Sequence, residues 1–183
     1  GQELVGTIRG HEDMANWAHD YYMEERAHGD IGDEDLALLE HCVNLKALIL
    51  DYQQISDLAP LAQLPLEYLS LTGNEISDLS PLSGMTELQV VDLGENPVRS
   101  AEVLAGLPAL RKATLDFTGI TSVEAFAGSS IQSLSLFQVW VSDYSTLEDC
   151  PSLSRLVVSQ LSDTTMESLM GLTGLEELRM YNT

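Results

Sequence analysis

The side chains of this sequence that are best suited to bind a metal ion or to transfer a proton are its four histidines. They are His11, His19, His28 and His41. Glu24 and His28 have the i, i+4 spacing that places two side chains on one face of a helix, but no two histidines have it. Because a zinc site needs three or four converging ligands, we interpret these residues as solvated side chains.

The acidic run at residues 30–35, Asp-Ile-Gly-Asp-Glu-Asp, is a second candidate and would suit calcium. A calcium loop requires alternating acidic ligands, a central glycine and a terminal glutamate, and this run lacks that order. The sequence also contains no glycine-rich phosphate loop, nucleophile elbow or Cys-x-x-Cys motif. We therefore predict that the chain is not an enzyme and requires no metal or other cofactor.

The net charge limits the classes of partner that the chain can bind. It is −21, from 29 acidic residues against eight lysines and arginines. Nucleic-acid binding needs basic side chains that replace counterions, so we predict no such partner. A partner attracted by charge should be neutral or basic, although the acidity can also serve solubility alone. The apolar stretches are far shorter than the roughly 20 residues of a membrane span, so no membrane insertion is expected.

An internal repeat occupies most of the chain. Segments of the form Leu-x-x-Leu-x-Leu, with other apolar residues at some positions, begin at Leu45, Leu66, Leu88, Leu110, Ile131, Leu153 and Leu175. Their alternation predicts short strands with one buried face. The Ser-Asp pairs and the three-residue apolar spacing that follow predict 3₁₀ or α-helical turns. Since a single unit cannot bury its own apolar face, the units should stack into a solenoid.

Two successive units read Ile-Ser-Asp-Leu-Ala-Pro-Leu from Ile55 and Ile-Ser-Asp-Leu-Ser-Pro-Leu from Ile76. On these residues the chain resembles the leucine-rich repeats, roughly 22 residues long, of bacterial internalins and of a eukaryotic phosphatase regulatory subunit. The resemblance implies an α/β leucine-rich repeat solenoid with a concave parallel sheet and convex helical turns. It also implies a bacterial protein that is secreted or at the cell surface, with a cytoplasmic location as the alternative.

The two ends of the repeat region differ. We interpret residues 1–35 as an N-terminal cap, a strand followed by a helix, and residues 36–183 as one continuous repeat domain. Terminal repeats normally need such a cap. We expect none after the C-terminal strand, which would leave Leu156, Val158, Leu178 and Met180 near an open edge. Either the chain is one piece of a longer protein, which we favour, or two copies associate weakly through this uncapped edge.

The turn after each strand departs from the pattern that the resemblance implies. Asparagine, whose amide satisfies backbone groups of the neighbouring coil, stands there only as Asn74 and Asn96. Gln53, Thr118, Val139 and Leu161 replace it in other units. We therefore expect irregular or mobile turns in the C-terminal half.

The two cysteines, Cys42 and Cys150, occupy equivalent positions five units apart. At the usual spacing of parallel strands they are roughly 24 Å apart, whereas a disulfide requires Cα atoms within about 7 Å. We predict two buried free thiols that pack as small apolar side chains.

The strand positions that alternate with the buried ones should line the concave face. We predict that this face binds a protein or peptide, as the recognition or adhesion part of a larger bacterial protein. The candidate binding residues are Tyr52, Tyr68, Asp92, Glu95, Asp116, Phe117, Phe137, Trp140, Arg155, Arg179 and Tyr181. The alternatives are an assembly unit that associates through its C-terminal edge, and carbohydrate binding by the exposed aromatic rings.

Two features of the face carry this prediction. Phe117, Phe137 and Trp140 follow the strands of adjacent units and are candidate anchors, unless Trp140 folds back to fill the turn at Val139. The second feature is charge. Asp51, Asp92, Glu95 and Asp116 make the first half acidic, and Arg155 and Arg179 mark the other end. Such polarity would orient a partner, although scattered surface charge is the alternative interpretation.

Overall fold

A parallel sheet of seven strands runs through residues 31–181, the part of the chain that the computed structural model describes. The strands are β1 (Ala47–Ile49), β2 (Tyr68–Ser70), β3 (Val90–Asp92), β4 (Lys112–Thr114), β5 (Ser133–Leu136), β6 (Arg155–Ser159) and β7 (Glu177–Tyr181). They pair in chain order, one per repeat. Most of the cap predicted for residues 1–35 lies outside the described residues, and so do His11, His19 and His28; the boundary at residue 35 stays a prediction.

Short helical segments return the chain from one strand to the next, as the three-residue apolar spacing predicts. The α-helices are α1 (Asp33–Leu36), α2 (Glu102–Ala105) and α3 (Asp163–Leu169), and the 3₁₀ segments are Ala37–His41, Ala59–Leu61, Ser80–Gly84, Glu124–Phe126 and Ser145–Asp149. Pro60 and Pro81 stand in the first turns of two 3₁₀ segments, where an N–H group has no partner to lose. The α/β solenoid is therefore confirmed.

The core lies between the sheet and the helical segments. In each strand the fourth residue of the repeat points inward, and the paired register stacks these residues across the sheet, as with Leu48, Leu69 and Val91. Leu61 and Leu82 face them from the 3₁₀ segments and are fully buried. Each unit thus buries its apolar face against its neighbours, which explains why one repeat alone would be unstable.

The turns in the C-terminal half do not become irregular, so that expectation was wrong for the described residues. The residue at one equivalent turn position is left-handed in six successive units: Tyr52, Gly73, Glu95, Phe117, Gln138 and Gln160 have φ between 54° and 69°. Backbone bonds between neighbouring coils maintain this geometry; Phe117 N–H, for example, donates to Phe137 O at 2.8 Å. The asparagine amide therefore supplements a turn that the backbone already defines.

Substitutes for the missing asparagines vary in chemistry. Asn96 Oδ1 accepts from Ile76 N–H at 3.0 Å, and Gln53 Oε1 accepts in the same way from Ile31 N–H at 2.8 Å. Thr118 Oγ1 donates to Leu115 O at 2.6 Å. Val139 makes the turn with an apolar side chain that is completely buried.

Burial at the two ends of the described repeats departs from two expectations. Cys150 is a buried free thiol, as predicted, whereas Cys42 is a free thiol that is only half-buried. Leu156 and Val158 were expected near an open edge, yet β7 covers them completely. The apolar side chains that stay exposed there are Leu178 and Met180.

The fully buried Tyr144 supports a first prediction, about stability. Its hydroxyl has no hydrogen-bond partner among the described residues, and burial raises its pKa to about 12. Because an unpaired buried hydroxyl is destabilising, Tyr144→Phe should raise the free energy of unfolding by about 1 kcal/mol in urea titrations. Tyr181→Phe, on the surface, should leave it unchanged. Loss of stability in Tyr144→Phe would mean that the hydroxyl is paired in solution.

Candidate partner-binding surface

The third and fifth residues of each repeat alternate with the buried residues of the strand, and the seventh and eighth residues lie at or just after its end. Together they form one surface, which we call the sheet face. Its rows cross the strands in register. One row runs Tyr68, Val90, Lys112, Ser133, Arg155 and Glu177, and the next runs Ser70, Asp92, Thr114, Ser135, Val157 and Arg179. Adjacent residues of a row are about 4.8 Å apart, so side chains of neighbouring repeats contact one another.

Asp51, Asp92, Glu95 and Asp116 form what we call the acidic patch, over the first four repeats. Asp51 Oδ1 accepts from Ser70 Oγ at 2.7 Å and from Thr72 N–H at 2.9 Å. One oxygen of this carboxylate is thereby fixed to the next repeat.

Asp116 repeats this arrangement, whereas Asp92 accepts from the preceding repeat and from its own. Asp116 Oδ1 accepts from Ser135 Oγ at 2.7 Å and from Phe137 N–H at 2.8 Å. Asp92 Oδ1 accepts from Thr72 Oγ1 at 2.9 Å and from Gly94 N–H at 3.1 Å. No hydrogen bond within residues 31–181 reaches the Oδ2 atoms of these aspartates, and none of these atoms is fully enclosed. Each carboxylate is therefore held in place through its Oδ1 atom alone.

Partial burial makes the carboxylates of Asp51 and Asp92 hard to ionise. Burial raises the pKa of Asp51 to about 6, with a smaller contribution from the charge of Asp92; the bonds from Ser70 and Thr72 oppose the rise. Burial also raises the pKa of Asp92, although Lys112 and the hydrogen bonds lower it in part. At a pH above the pKa values of its carboxyl groups, the acidic patch carries several negative charges close together.

Two tyrosines lie against the acidic patch. The exposed Tyr52 ring covers Gly73, whose hydrogen leaves room for it, and Tyr52 Oη donates to Glu95 Oε1 at 3.0 Å. Burial and this bond raise the pKa of Tyr52. Tyr68 is half-buried, and burial together with Asp92 and Asp51 raises its pKa to about 12. Both hydroxyls are therefore neutral donors at physiological pH.

Phe117, Phe137 and Tyr181 form what we call the aromatic cluster. Phe137 lies edge-to-face against Phe117, with ring centroids 5.3 Å apart, and edge-to-face against Tyr181 at 5.2 Å. Phe137 and Tyr181 belong to repeats two apart and meet across Ser159, whose side chain is small and buried. Phe117 remains 53% exposed and Tyr181 43% exposed, so the cluster presents apolar surface to solvent.

Trp140 does not join this cluster in the described structure. Its side chain is 70% exposed, so the alternative in which it fills the turn at Val139 is wrong; Val139 itself fills that turn. The predicted grouping of Phe117 and Phe137 with Trp140 is replaced by one with Tyr181. Trp140 stays a predicted binding residue at the margin.

The predicted basic end is weaker than its two arginines indicate. Arg155 Nε is 3.4 Å from Glu177 Oε2, and Arg179 Nε is 2.6 Å from Glu177 Oε1. A single glutamate therefore offsets one of the two charges. The contrast in charge between the ends of the sheet face persists, but it comes mainly from the acidic patch.

Sequence reasoning missed the residues that organise the surface. Ser70 and Thr72 bind the carboxylates, and Gly73 makes room for the Tyr52 ring. The available signal was the lone glycine at the left-handed turn position, where other repeats carry larger residues.

The remaining candidates for metal chemistry are few in the described region. His41 is exposed at the end of a 3₁₀ segment. Across residues 31–181, no group of three or more histidine, cysteine or acidic side chains is arranged to hold a metal ion. No helix of that region is both long and apolar enough to cross a membrane.

Comparison with known proteins gives similarity in sequence over part of the chain and in structure over most of it. The family model for leucine-rich repeats (2 copies) matches residues 66–106. An internalin (inlF) from Listeria monocytogenes is 28% identical with a TM-score of 0.68, over 81% of this chain and 46% of that one. This chain therefore spans about half the length of that internalin.

Two further structures extend the comparison. Internalin C2 (inlC2) from Listeria monocytogenes is 26% identical with a TM-score of 0.61, over 84% of this chain and 77% of that one. A plant peptide hormone receptor, RGFR1 in complex with RGF2, is 16% identical with a TM-score of 0.60, over 80% and 26% of the two chains; it shares the fold alone. No curated protein matches the chain in sequence.

Proposed function

We propose that this chain, a leucine-rich repeat protein with repeats of the internalin-like class, binds a protein or peptide on its sheet face. The fold is that of protein-interaction modules, and its solenoid form provides an extended surface for binding. The observation that carries the proposal is the aromatic cluster, exposed on a rigid sheet beside the acidic patch.

Exposed aromatic rings in contact with each other suit a binding anchor. Each ring has a large apolar area and loses little conformational entropy when a partner covers it. The edge-to-face contacts already restrict the Phe137 ring on both sides. Binding would therefore remove apolar surface from water without first ordering these side chains.

The charge of the surface indicates the class of partner. The acidic patch would attract neutral or basic surfaces and repel nucleic acid. The aspartates of the patch are tied to backbone and hydroxyl groups, and no histidine of the described region lies among them, so we propose recognition without catalysis and without a cofactor. The finer proposal is recognition or adhesion within a larger bacterial protein, secreted or at the cell surface, as the likeness to internalins supports.

A specific observation also supports an assembly role as the second candidate. Leu178 and Met180 of β7 are 38% and 48% exposed, and a second copy could cover them. In that case two chains would associate weakly through the C-terminal edge, and Met180→Ser would abolish a dimer seen by light scattering. The exposed rings alone would equally suit a carbohydrate, which is the third candidate.

The test is a cross-linking capture from the surroundings of the source organism, with identification by mass spectrometry. The variant Phe117→Ala/Phe137→Ala/Tyr181→Ala should lose a protein that the wild type captures, because hot-spot rings each contribute about 2 kcal/mol or more. Leu38→Ala, which removes an even more exposed apolar side chain from a 3₁₀ segment, should still capture it. Circular dichroism verifies folding.

Two outcomes are decisive for this test. Equal capture by the wild type and the aromatic variant would contradict the proposal, and capture of the chain itself alone would favour assembly. Trp140→Ala, tested in parallel, shows whether the marginal tryptophan contributes to the anchor.

A further inference from the structure

We infer that the occupant of the sheet face is an extended peptide segment with a lysine or arginine about three residues from a large apolar side chain. The inference rests on the proposed function and names the chemistry of its partner. The apolar side chain would pack on the aromatic cluster, and the cationic one would bind the acidic patch.

Carboxylates prepared for a cation lie directly beside the aromatic cluster. Asp116 Oδ1 accepts from the backbone N–H of Phe137, and within residues 31–181 its Oδ2 atom has no hydrogen-bond partner and is not fully enclosed. Glu95, on the preceding repeat, is exposed next to Phe117 in register. A guanidinium or ammonium group can therefore bind these oxygens without breaking the bonds that hold Asp116.

Charge complementarity favours a cation over a neutral polar group at this place. Burial raises the pKa values of Asp51 and Asp92, and a like charge adds to each rise: that of Asp92 for Asp51, two repeats away, and that of Asp116 for Asp92, on the adjacent repeat. Lys112 offsets the charge of Asp92 only in part, because burial still raises that pKa. A cationic side chain would relieve this repulsion, whereas an anionic or neutral side chain would not.

The positions of the two sites set the spacing along the peptide. The cationic side chain would lie at the β3 repeat, which carries both Asp92 and Glu95, and Phe137 follows β5, which is two strand spacings or about 10 Å across the sheet. An extended chain advances about 3.3 Å per residue, so three residues cover that distance. Arg155 and Arg179 lie on the other side of the aromatic cluster from the acidic patch. They would repel the cationic side chain of the same peptide if it bound in the opposite direction.

The experiment begins with selection of phage-displayed random peptides, about twelve residues long, on the wild-type domain. Selected sequences should carry Lys or Arg three residues, give or take one, from an aromatic residue or leucine. A synthetic peptide of the selected sequence is then measured by fluorescence anisotropy. Asp92→Asn/Asp116→Asn should weaken its binding at least tenfold, roughly what loss of one charged contact produces. Asparagine keeps the Oδ1 acceptors of both sites, so folding should persist.

The matched control removes the same two charges from the helical side. Glu102→Gln/Glu124→Gln leaves the sheet face intact and should bind within twofold of the wild type. Raising NaCl from about 50 to about 300 mM should weaken wild-type binding much more than binding by the Asp92→Asn/Asp116→Asn variant, because salt screens the lost contact.

The outcomes separate this inference from the proposed function. Selected peptides without a basic residue, or an unchanged affinity in the Asp92→Asn/Asp116→Asn variant, would overturn the inference. If the peptides selected on the wild type nevertheless fail to bind the Phe117→Ala/Phe137→Ala variant, the proposed function stands. Peptides that bind that aromatic variant as well as the wild type would overturn both. Failure to select any peptide would overturn the inference that the partner is an extended segment. The capture experiment would then decide whether the proposed function stands.

Discussion

Gly73→Ala is expected to lower the free energy of unfolding by about 2 kcal/mol. Gly73 has φ +69°, and a left-handed backbone costs a residue with a Cβ roughly 1–2 kcal/mol. The added methyl group would also clash with the Tyr52 ring, which must move and lose its bond to Glu95. Urea titrations at neutral pH measure the change.

The control for this substitution lies in the same chain. Gly84 ends a 3₁₀ segment without a positive φ, and a methyl group added there would meet open space, so Gly84→Ala should change stability by less than about 0.5 kcal/mol. In a Tyr52→Ala background the clash disappears, and Gly73→Ala should then cost only the backbone part. Equal losses in both backgrounds would show that the ring does not rest on Gly73.

The repeat pattern predicts the fold because each signal is local. Leu48, Leu69 and Val91 are the fourth residues of their units, and their alternation alone indicates a buried face. Stacking then follows from the need to cover that face. Burial of Cys42 was overestimated because the pattern assumes equivalent neighbours for every unit, whereas Cys42 belongs to a half-unit ahead of β1.

The arrangement of the candidate site depends on contacts that the pattern does not encode. Phe137 meets Tyr181 two repeats away because Ser159, between them, is small; the sequence favoured Trp140 because it follows Phe137 closely. Likewise, the acidic residues were visible in the sequence, but their bonds to Ser70 and Thr72 depend on the register of adjacent turns. The repeat pattern therefore predicts where the surface lies, whereas the register of adjacent turns determines which of its side chains contact one another.

The acidic patch opposes the stability of the free protein at neutral pH. Burial and nearby like charge make ionisation of Asp51 and Asp92 unfavourable in the folded state, and Asp51, whose pKa is raised to about 6, is charged near pH 8. Hydrogen bonds from the neighbouring repeat reduce this cost without removing it. A surface that holds unfavourable charge is typical of a binding site whose partner supplies the opposite charge.

Asp51→Asn is expected to raise the free energy of unfolding at pH 8 by about 2–3 kcal/mol. The pKa of Asp51 is about 6 in the folded protein, against 3.8 for an aspartate in water, so the folded state binds its proton more tightly. The stability that this group contributes is therefore fully present below about pH 4 and is lost as pH rises through about 6. At 1.36 kcal/mol per pKa unit, the loss has this size.

Comparing the wild type with Asp51→Asn between pH 4 and pH 8 isolates this group from the others that titrate. Asparagine keeps the oxygen that accepts from Ser70 and Thr72 but cannot ionise, so the stability difference should grow with pH and level off above about 7. Asp143→Asn gives the opposite trend, because the backbone bond from Ser145 holds the pKa of Asp143 below its usual value. A pH-independent difference for Asp51→Asn would mean that its carboxylate is fully solvated, and the acidic patch would then oppose folding far less than its burial indicates.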